Sequence, residues 1–254
     1  MSVLRRSLVF LLVVFLIAGI GVATLPAATA YRWVADRLGA IRLDDVSGSV
    51  WQGRAAHLRV FDRELGALDW DLHALPLLQG TLVADLHLVG DAVTASGEVT
   101  RDADGNVRVR AARFRLPASL AAPVLDIPAL QLHGDIQGEL AQAHLRGAWL
   151  EQAEGSLRWQ AAAVSGAAQA EFGDLEARFA TASDGAIDGE VRDLGGPLEL
   201  HGRFRVSAGG FVADAELAAR DGNPHVQEAL RYIGEPQADG RSHLVIRGQV
   251  FPWL

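Results

Sequence analysis

Two amino acids are missing from this 254-residue chain: it contains no cysteine and no lysine. Without cysteine there is no disulfide, no thiolate nucleophile, no iron–sulfur cluster and no cysteine-ligated zinc. Without lysine there is no Schiff base and no phosphate-binding P-loop lysine. The enzyme classes that depend on either residue are therefore excluded.

Basic charge is also scarce. The chain has 23 basic side chains, all of them arginine, against 31 acidic ones, which gives a formal net charge of −8. Proteins that bind nucleic acid need a concentrated basic surface. The composition therefore predicts no nucleic-acid partner.

The familiar signatures of catalysis and metal binding are missing as well. The eight histidines form no H-E-x-x-H or other close metal spacing, and no G-x-S-x-G nucleophile turn occurs. The acidic pairs Asp44–Asp45 and Asp69–Asp71 are interpreted as surface charge on strands. The sequence predicts no catalytic residue, no metal and no cofactor, and so a protein that is not an enzyme.

The one long apolar run covers residues 8–25 and follows Arg5 and Arg6. About 18 residues without a charge are long enough to span a bilayer as a helix. The alternative is a cleaved signal peptide, because Ala28 and Ala30 form a small-x-small cleavage pattern, although such apolar regions are usually shorter. In either case the two arginines keep the amino terminus in the cytoplasm.

These observations divide the chain into four parts. We predict a cytoplasmic amino terminus over 1–7, a transmembrane helix over 8–25, a juxtamembrane helix or linker over 26–40, and a periplasmic β-rich domain over 41–254. Within 30–38, Tyr31, Val34 and Leu38 share one helical face. Tyr31 and Trp33 suit the headgroup zone of a membrane, but packing against the exported domain is an open alternative.

From residue 41 onward apolar and polar residues alternate, which is typical of half-buried strands. Frequent Asp-Gly and Gly-Gly dipeptides supply the turns of an antiparallel meander. The sequence leaves open whether the sheet closes on itself, and whether its apolar face is covered by protein or forms a groove. That candidate apolar face is represented by Leu82, Leu86, Leu200 and Phe204.

One segment late in the chain has helical rather than alternating periodicity. In 223–234, Asn223 can cap a helix, Pro224 suits its first turn, and Gly234 can end it. We therefore expect a mainly β fold with one short helix in its carboxyl-terminal half.

Short tryptophan and glycine motifs recur along the chain. The first is in 47–54, SGSVWQGR, interpreted as a strand that holds a large aromatic residue between two glycines. The candidate motif residues are Gly48, Val50, Trp51, Gly53, Trp70, Trp149, Trp159, Gly195 and Gly196.

The order of these motifs behind an amino-terminal apolar segment resembles the family of protein N of the bacterial type II secretion system. The similarity extends over essentially the whole chain, and its overall pattern is also similar to that of AsmA-like proteins. The resemblance implies an inner-membrane protein with a long, curved antiparallel β-meander in the periplasm and without catalytic residues.

The resemblance implies an accessory or assembly component of the secretion machinery. Its expected partners are the inner membrane and other type II secretion components, either of the inner-membrane platform or of the periplasm. The alternative, implied by the AsmA-like pattern, is a lipid-binding or envelope-maintenance module with an apolar groove. A periplasmic hydrolase ranks below both because no nucleophile, base or metal set is visible.

Overall fold

A computed structural model describes residues 25–61, 63–121, 129–147 and 149–248. Of the predicted membrane span 8–25, only Leu25 falls within these ranges, and the predicted cytoplasmic segment 1–7 lies outside them. None of the helices in the described ranges is long and apolar enough to cross a membrane. The span therefore stays a prediction from the sequence.

The chain divides into two compact units, Met1–Asp91 and Ala92–Leu254. The sequence predicts one β-rich domain over 41–254. Both units consist mainly of antiparallel strands, so the predicted mainly β class is confirmed.

The first unit begins with a short helix beside a sheet. Helix α1 covers Ala27–Val34 and is followed by a 3₁₀ turn at Ala35–Arg37. A second short helix, α2 (Ala74–Leu77), connects the last two strands. The strands are β1 (Ile41–Gly48), β2 (Gln52–Val60), β3 (Arg63–Leu72) and β4 (Leu82–Val89), and each pairs with the next.

Helix α1 is held against the outer edge of β1. The Leu43 backbone N–H donates to the Tyr31 hydroxyl oxygen at 3.0 Å. Just before the helix, the Val50 N–H donates to the Leu25 carbonyl oxygen at 2.9 Å. Tyr31 therefore contacts the sheet, which agrees with the alternative that this segment packs against the exported domain.

The described residues of the second unit form ten strands. They are β5 (Thr94–Arg101), β6 (Val107–Pro117), β7 (Leu130–Arg146), β8 (Trp149–Gly166), β9 (Ala170–Thr181), β10 (Ile187–Asp193), β11 (Leu198–Ser207), β12 (Gly210–Ala219), β13 (Glu235–Pro236) and β14 (Ser242–Gly248). From β5 to β12 each strand pairs with the next along the chain, as predicted for a meander. Strand β14 then pairs with β12, and β13 lies outside it.

The main core of this unit lies under helix α3 (Pro224–Leu230). Val226, Ala229 and Leu230 of the helix pack on the apolar face of the sheet, where Leu198 and Leu200 are buried. This is the helix predicted over 223–234, and Asn223 caps it by accepting hydrogen bonds from the His225 and Val226 backbone N–H groups at 3.1 and 3.2 Å. A smaller cluster of Ala143, Ala153 and Ile187 lies apart from the main core.

The prediction that 47–54 forms a continuous strand is wrong. Strand β1 ends at Gly48 and β2 begins at Gln52, so Val50 and Trp51 lie in the hairpin turn between them. Gly48 has a φ of +82°, which glycine adopts without strain and which lets the chain reverse there. The local preference of valine and tryptophan for strands is overridden by this turn.

Candidate functional site

The first motif forms a turn that ties three parts of unit 1 together. The Ser49 N–H donates to the Gln52 carbonyl at 2.8 Å and closes the turn. The Trp51 carbonyl accepts from the Leu72 N–H at 2.6 Å, and the Val50 N–H reaches Leu25. The motif therefore joins the start of the described chain to the ends of β1 and β3.

Trp70 completes this motif from the neighbouring strand. It lies directly opposite Gly53, and its indole N–H donates to the Val50 carbonyl oxygen at 3.1 Å. A Cβ atom built on Gly53 would overlap the indole ring. Gly53 is thus needed so that the ring can lie flat against the strand, and the structure brings together Gly48, Val50, Trp51, Gly53 and Trp70.

The same arrangement of an aromatic ring over an opposing glycine recurs in unit 2. A Cβ on each of three glycines would overlap the phenylalanine ring of its directly opposite partner, which covers the gap left by the missing side chain. These pairs are Gly138 with Phe114, Gly189 with Phe204, and Gly248 with Phe211.

Trp149 and Trp159 both lie on β8 but do not form a common site. Trp149 is exposed at the beginning of the strand, opposite Arg146. Trp159 packs against the main core, and its indole N–H donates to the His133 carbonyl at 2.8 Å. The structure gives Trp159 a packing role and leaves Trp149 on the surface.

Gly195 and Gly196 form the turn between β10 and β11, as predicted from their conformational freedom. Gly196 has a φ of +151°, and a Cβ there would overlap the Phe172 carbonyl oxygen. The Asp193 carboxylate accepts from the Gly195 N–H at 3.1 Å and from the Leu200 N–H at 3.0 Å. This carboxylate therefore organises the turn.

Arg220 holds the same turn from the end of β12. Its guanidinium donates to Asp193 at 2.6 Å and to the Gly196 carbonyl at 3.0 Å. Burial opposes ionisation of Asp193, but hydrogen bonds from the Leu200 N–H, Arg220 and the Gly195 N–H outweigh it and hold the carboxyl pKa below its usual value. This ion pair ties the Gly195–Gly196 turn to the chain that leads into α3.

The four residues of the candidate apolar face have different environments. Leu200 is buried beneath α3, and Phe204 is half-buried on the same strand. The Phe179 and Phe204 ring centroids are 6.4 Å apart. Leu86 is half-buried in unit 1, whereas Leu82 is exposed, and the assignment of both to one apolar face stays a prediction. Alternation along the strand predicts the face on which Leu82 lies, but burial also requires neighbouring residues that cover this side chain.

The polar face of unit 2 carries a groove that the sequence did not suggest. Its volume is about 790 Å³, and it is lined by two cross-strand rows of residues and by Phe179, Gly189 and Phe204 of the row between them. Three arginines and three acidic residues alternate there, so neither sign of charge is in excess. The first row consists of Arg178, Glu190, Arg203 and Asp214. The second row consists of Ala180, Asp188, Arg205 and Val212.

Beside this groove, Glu176 is a buried carboxylate on the polar face. Only 9% of its side chain is exposed, and the guanidinium nitrogens of Arg192, Arg178 and Arg158 approach it within 2.6, 3.2 and 4.0 Å. The hydrogen bond from Arg192 outweighs burial and, together with Arg178, lowers the pKa of Glu176. Single-strand patterns did not reveal this cluster because it depends on the register of three strands.

The outer edge of β14 is only partly paired. The Arg241 carbonyl accepts from the Gln237 N–H at 2.8 Å and so points to the β13 side. In an antiparallel strand the backbone N–H and C=O groups of every second residue point to the same side, so those of Val245 and Arg247 also point there. Among the described residues, β13 pairs only with Ser242 and His243 of this edge. No described strand pairs with the backbone of Val245 and Arg247 on that side.

In the described part of the chain, no group of three or more His, Asp or Glu side chains is arranged to hold a metal ion. The geometry found is that of surfaces and edges: an uncharged turn in unit 1, a partly covered apolar face, and the edge of β14.

Comparison with known proteins gives a consistent match. The family model described as "Type II secretion system (T2SS), protein N" matches residues 39–245. The chain is 28% identical over 227 residues to "Type II secretion system protein N" of Vibrio cholerae serotype O1, covering 83% of this chain and 85% of the relative. It is 25% identical over 259 residues to the protein of the same name from Aeromonas hydrophila, covering 96% and 100%. No solved structure matches the chain.

Proposed function

The chain belongs to the type II secretion system protein N family and is therefore a component of type II secretion, and from this premise we propose that it is a non-enzymatic accessory or assembly subunit. In this proposal residues 8–25 anchor it in the inner membrane and both β units lie in the periplasm. Arg5 and Arg6 before an uncharged apolar run support that orientation.

The observation that carries the mode of action is the edge of β14. An exposed sheet edge can accept an extended strand from a partner through backbone hydrogen bonds. In unit 1, by contrast, α1 lies against the outer edge of β1, and the Tyr31 hydroxyl occupies the Leu43 N–H. We propose that an extended segment of another secretion component, from the inner-membrane platform or the periplasm, adds to β14 at Val245 and Arg247.

The first experiment removes one backbone donor from this edge. Val245→Pro removes an outward backbone N–H that donates to no described residue. The fold tolerates this substitution because proline is accepted in edge strands. Val245→Ala changes the side chain but keeps the donor. We expect Val245→Pro to lower secretion by cells that carry the variant as their only copy, and Val245→Ala to leave secretion unchanged. Equal secretion by both variants, with normal protein levels, would contradict docking at this edge.

A photocrosslinking residue at position 245 tests the same contact directly. Val212 is the matched control, because it is 44% exposed against 39% for Val245 but lies on β12, which is paired on both sides. We expect position 245 to recover other secretion components and position 212 to recover none. If neither recovers one, and deletion of the gene leaves secretion intact, the proposed function fails as a whole.

A second candidate function is lipid handling on the apolar face. Its support is that Phe179 and Phe204 are half-exposed beyond α3, and no described helix packs on them. In contrast, α3 covers Leu200, so that part of the apolar face already packs against protein. This favours an assembly role over lipid binding there. A photocrosslinker at Phe204 would give lipid adducts by mass spectrometry if this face handles lipid, whereas one at Val212 on the polar face would not. Adducts at neither position would exclude the candidate.

A further inference from the structure

One end of unit 1 is formed mainly by uncharged segments, with Asp71, Asp85 and His73 at its margin. Because the strands are antiparallel, this end contains the carboxyl ends of β1 and β3 and the amino ends of β2 and β4. The residues 25–31, 46–53 and 73–84 that build this end contain no Asp, Glu or Arg. The opposite end, by contrast, carries Arg42, Arg59, Arg63 and Glu64. The two ends of the same small sheet therefore differ sharply in polarity.

Leucines project from the uncharged end. The β3–β4 connection contains α2, and Leu75 and Leu78 in it are 78% and 85% exposed. Leu77 and Leu82 are also exposed. A set of exposed leucines in a segment without Asp, Glu or Arg is typical of a surface that binds an apolar partner or a membrane.

The position of Leu25 identifies the membrane as that partner. Leu25 is the last residue of the predicted span 8–25, and its carbonyl accepts from the Val50 N–H at 2.9 Å. Pro26 forms a bridge with Ser49. The Val50–Trp51 turn is therefore fixed to the residue at which the predicted span leaves the bilayer, and tryptophan is favoured in that interfacial zone.

The backbone of the leucine-bearing loop is also prepared for an environment with little water. The N–H groups of Leu78, Gln79, Gly80 and Thr81 donate to carbonyls within the loop at 2.9 to 3.2 Å. Pro76 has no N–H to satisfy. Because unsatisfied backbone donors are costly in lipid, a loop that satisfies its own can enter the interface.

We propose that this end of unit 1, formed by the Val50–Trp51 turn and the leucines of 75–82, rests in the surface of the bilayer into which residues 8–25 insert. The contact is apolar, since these segments contain no arginine or lysine and their one histidine, His73, is paired with Asp85 at 2.9 Å. It fixes the direction in which the strands of unit 1 leave the membrane. The inference depends on the proposed membrane anchor but not on any protein partner.

The chain has no cysteine, so one introduced cysteine can carry an environment-sensitive fluorophore without further changes. We would label Leu75→Cys and Leu78→Cys in the full chain, reconstituted in phosphatidylcholine vesicles. The control is Phe61→Cys, because Phe61 is as exposed as Leu75, at 78%, but lies at the opposite end of the strands. In vesicles with nitroxide-labelled acyl chains, we expect a blue shift and a loss of emission at positions 75 and 78 but not at 61. Added phosphatidylglycerol should not change this result.

Two outcomes would overturn the inference. Emission at 75 and 78 that matches position 61 would place the leucines in water. A blue shift without quenching by the lipid nitroxide would instead indicate that protein covers them. Alkaline extraction of the same vesicles tests the membrane anchor separately. If the chain is extracted, the anchor of the proposed function is contradicted. If the chain is retained but its leucines are exposed to water, only the present inference is contradicted.

Discussion

The indole ring of Trp70 lies over the backbone of Gly53, its directly opposite partner on β2, and donates its N–H to the Val50 carbonyl at 3.1 Å. This pair fixes the turn that carries Trp51 and that bonds to Leu25. In unit 2 the same filling of the space of a missing side chain by a ring pairs phenylalanines, not tryptophans, with glycines.

Gly53→Ala should destabilise the protein by about 1–3 kcal/mol, the usual cost of inserting a methyl group into filled space. The new Cβ would overlap the Trp70 ring and lie 2.8 Å from the Ser49 carbonyl oxygen. Urea unfolding of the purified chain in detergent measures the effect. Gly209→Ala is the control, because the nearest atom to its Cβ is the Ser207 Oγ at 3.9 Å. Equal stability of the two variants would show that the Trp70 ring can move aside.

Replacing Glu176 with glutamine should destabilise unit 2 by about 1–3 kcal/mol, because the charged hydrogen bonds from Arg192 and Arg178 are lost. The pKa of Glu176 is lowered in the folded protein. Its contribution is therefore present above the unfolded pKa of about 4.3 and is lost as the pH falls through the folded value.

Urea midpoints at pH 7 and below pH 4 measure this contribution. The gap between wild type and Glu176→Gln should narrow at the lower pH. Glu190→Gln is the control, since Glu190 is exposed and its nearest guanidinium nitrogen, on Arg203, is 3.6 Å away. A gap that stays constant with pH would mean that the Glu176 charge is not what stabilises the cluster.

Asp193→Asn should loosen the Gly195–Gly196 turn, because Leu200 donates to one carboxylate oxygen and Arg220 and Gly195 donate to the other, whereas asparagine keeps only one oxygen to accept them. Hydrogen exchange of the Leu200 amide should become faster. A stability loss of about 1–3 kcal/mol is expected for hydrogen bonds to a charged group. Glu199→Gln is the matched variant, because Glu199 also contacts Arg220, at 3.5 Å, but is exposed. Unchanged exchange at Leu200 in Asp193→Asn would refute the role of this carboxylate.

Asn223→Ala removes the cap of α3 and should cost about 1 kcal/mol. Because α3 covers Leu198 and Leu200, its fraying should expose apolar surface, measured as increased binding of a hydrophobic dye. Asn223→Ser keeps a capping oxygen and should resemble the wild type. If alanine and serine give the same dye binding, packing rather than the cap holds the helix.

Much of the strand structure was accessible from the sequence. The alternation in 198–206 predicted that Leu198 and Leu200 face the core and that Glu199 and His201 face solvent, as observed in β11. Asn223 and Pro224 correctly marked the start of α3. Such features depend on residues close together in the chain, so local periodicity and capping are sufficient to predict them.

Features that join distant segments were not accessible in this way. The 47–54 segment was predicted as a strand, yet it forms a turn held by Leu25, Trp70 and Leu72. The Glu176 cluster requires β8, β9 and β10 in one register. Leu82 has the alternation of a core residue but is exposed, because no described neighbour covers it.

The sequence by itself determined the mainly β class, a helix within 223–234, the absence of cysteine and lysine chemistry, and the resemblance to a secretion family. These follow from composition, from short-range periodicity and from the order of motifs along the chain. Only the tertiary structure decided that Trp51 lies in a turn bonded to Leu25, that α3 covers part of the apolar face, and that no described strand pairs with the edge of β14 at Val245 and Arg247. Those features depend on which strands are paired and in what register, and alternation along one strand is the same for many registers.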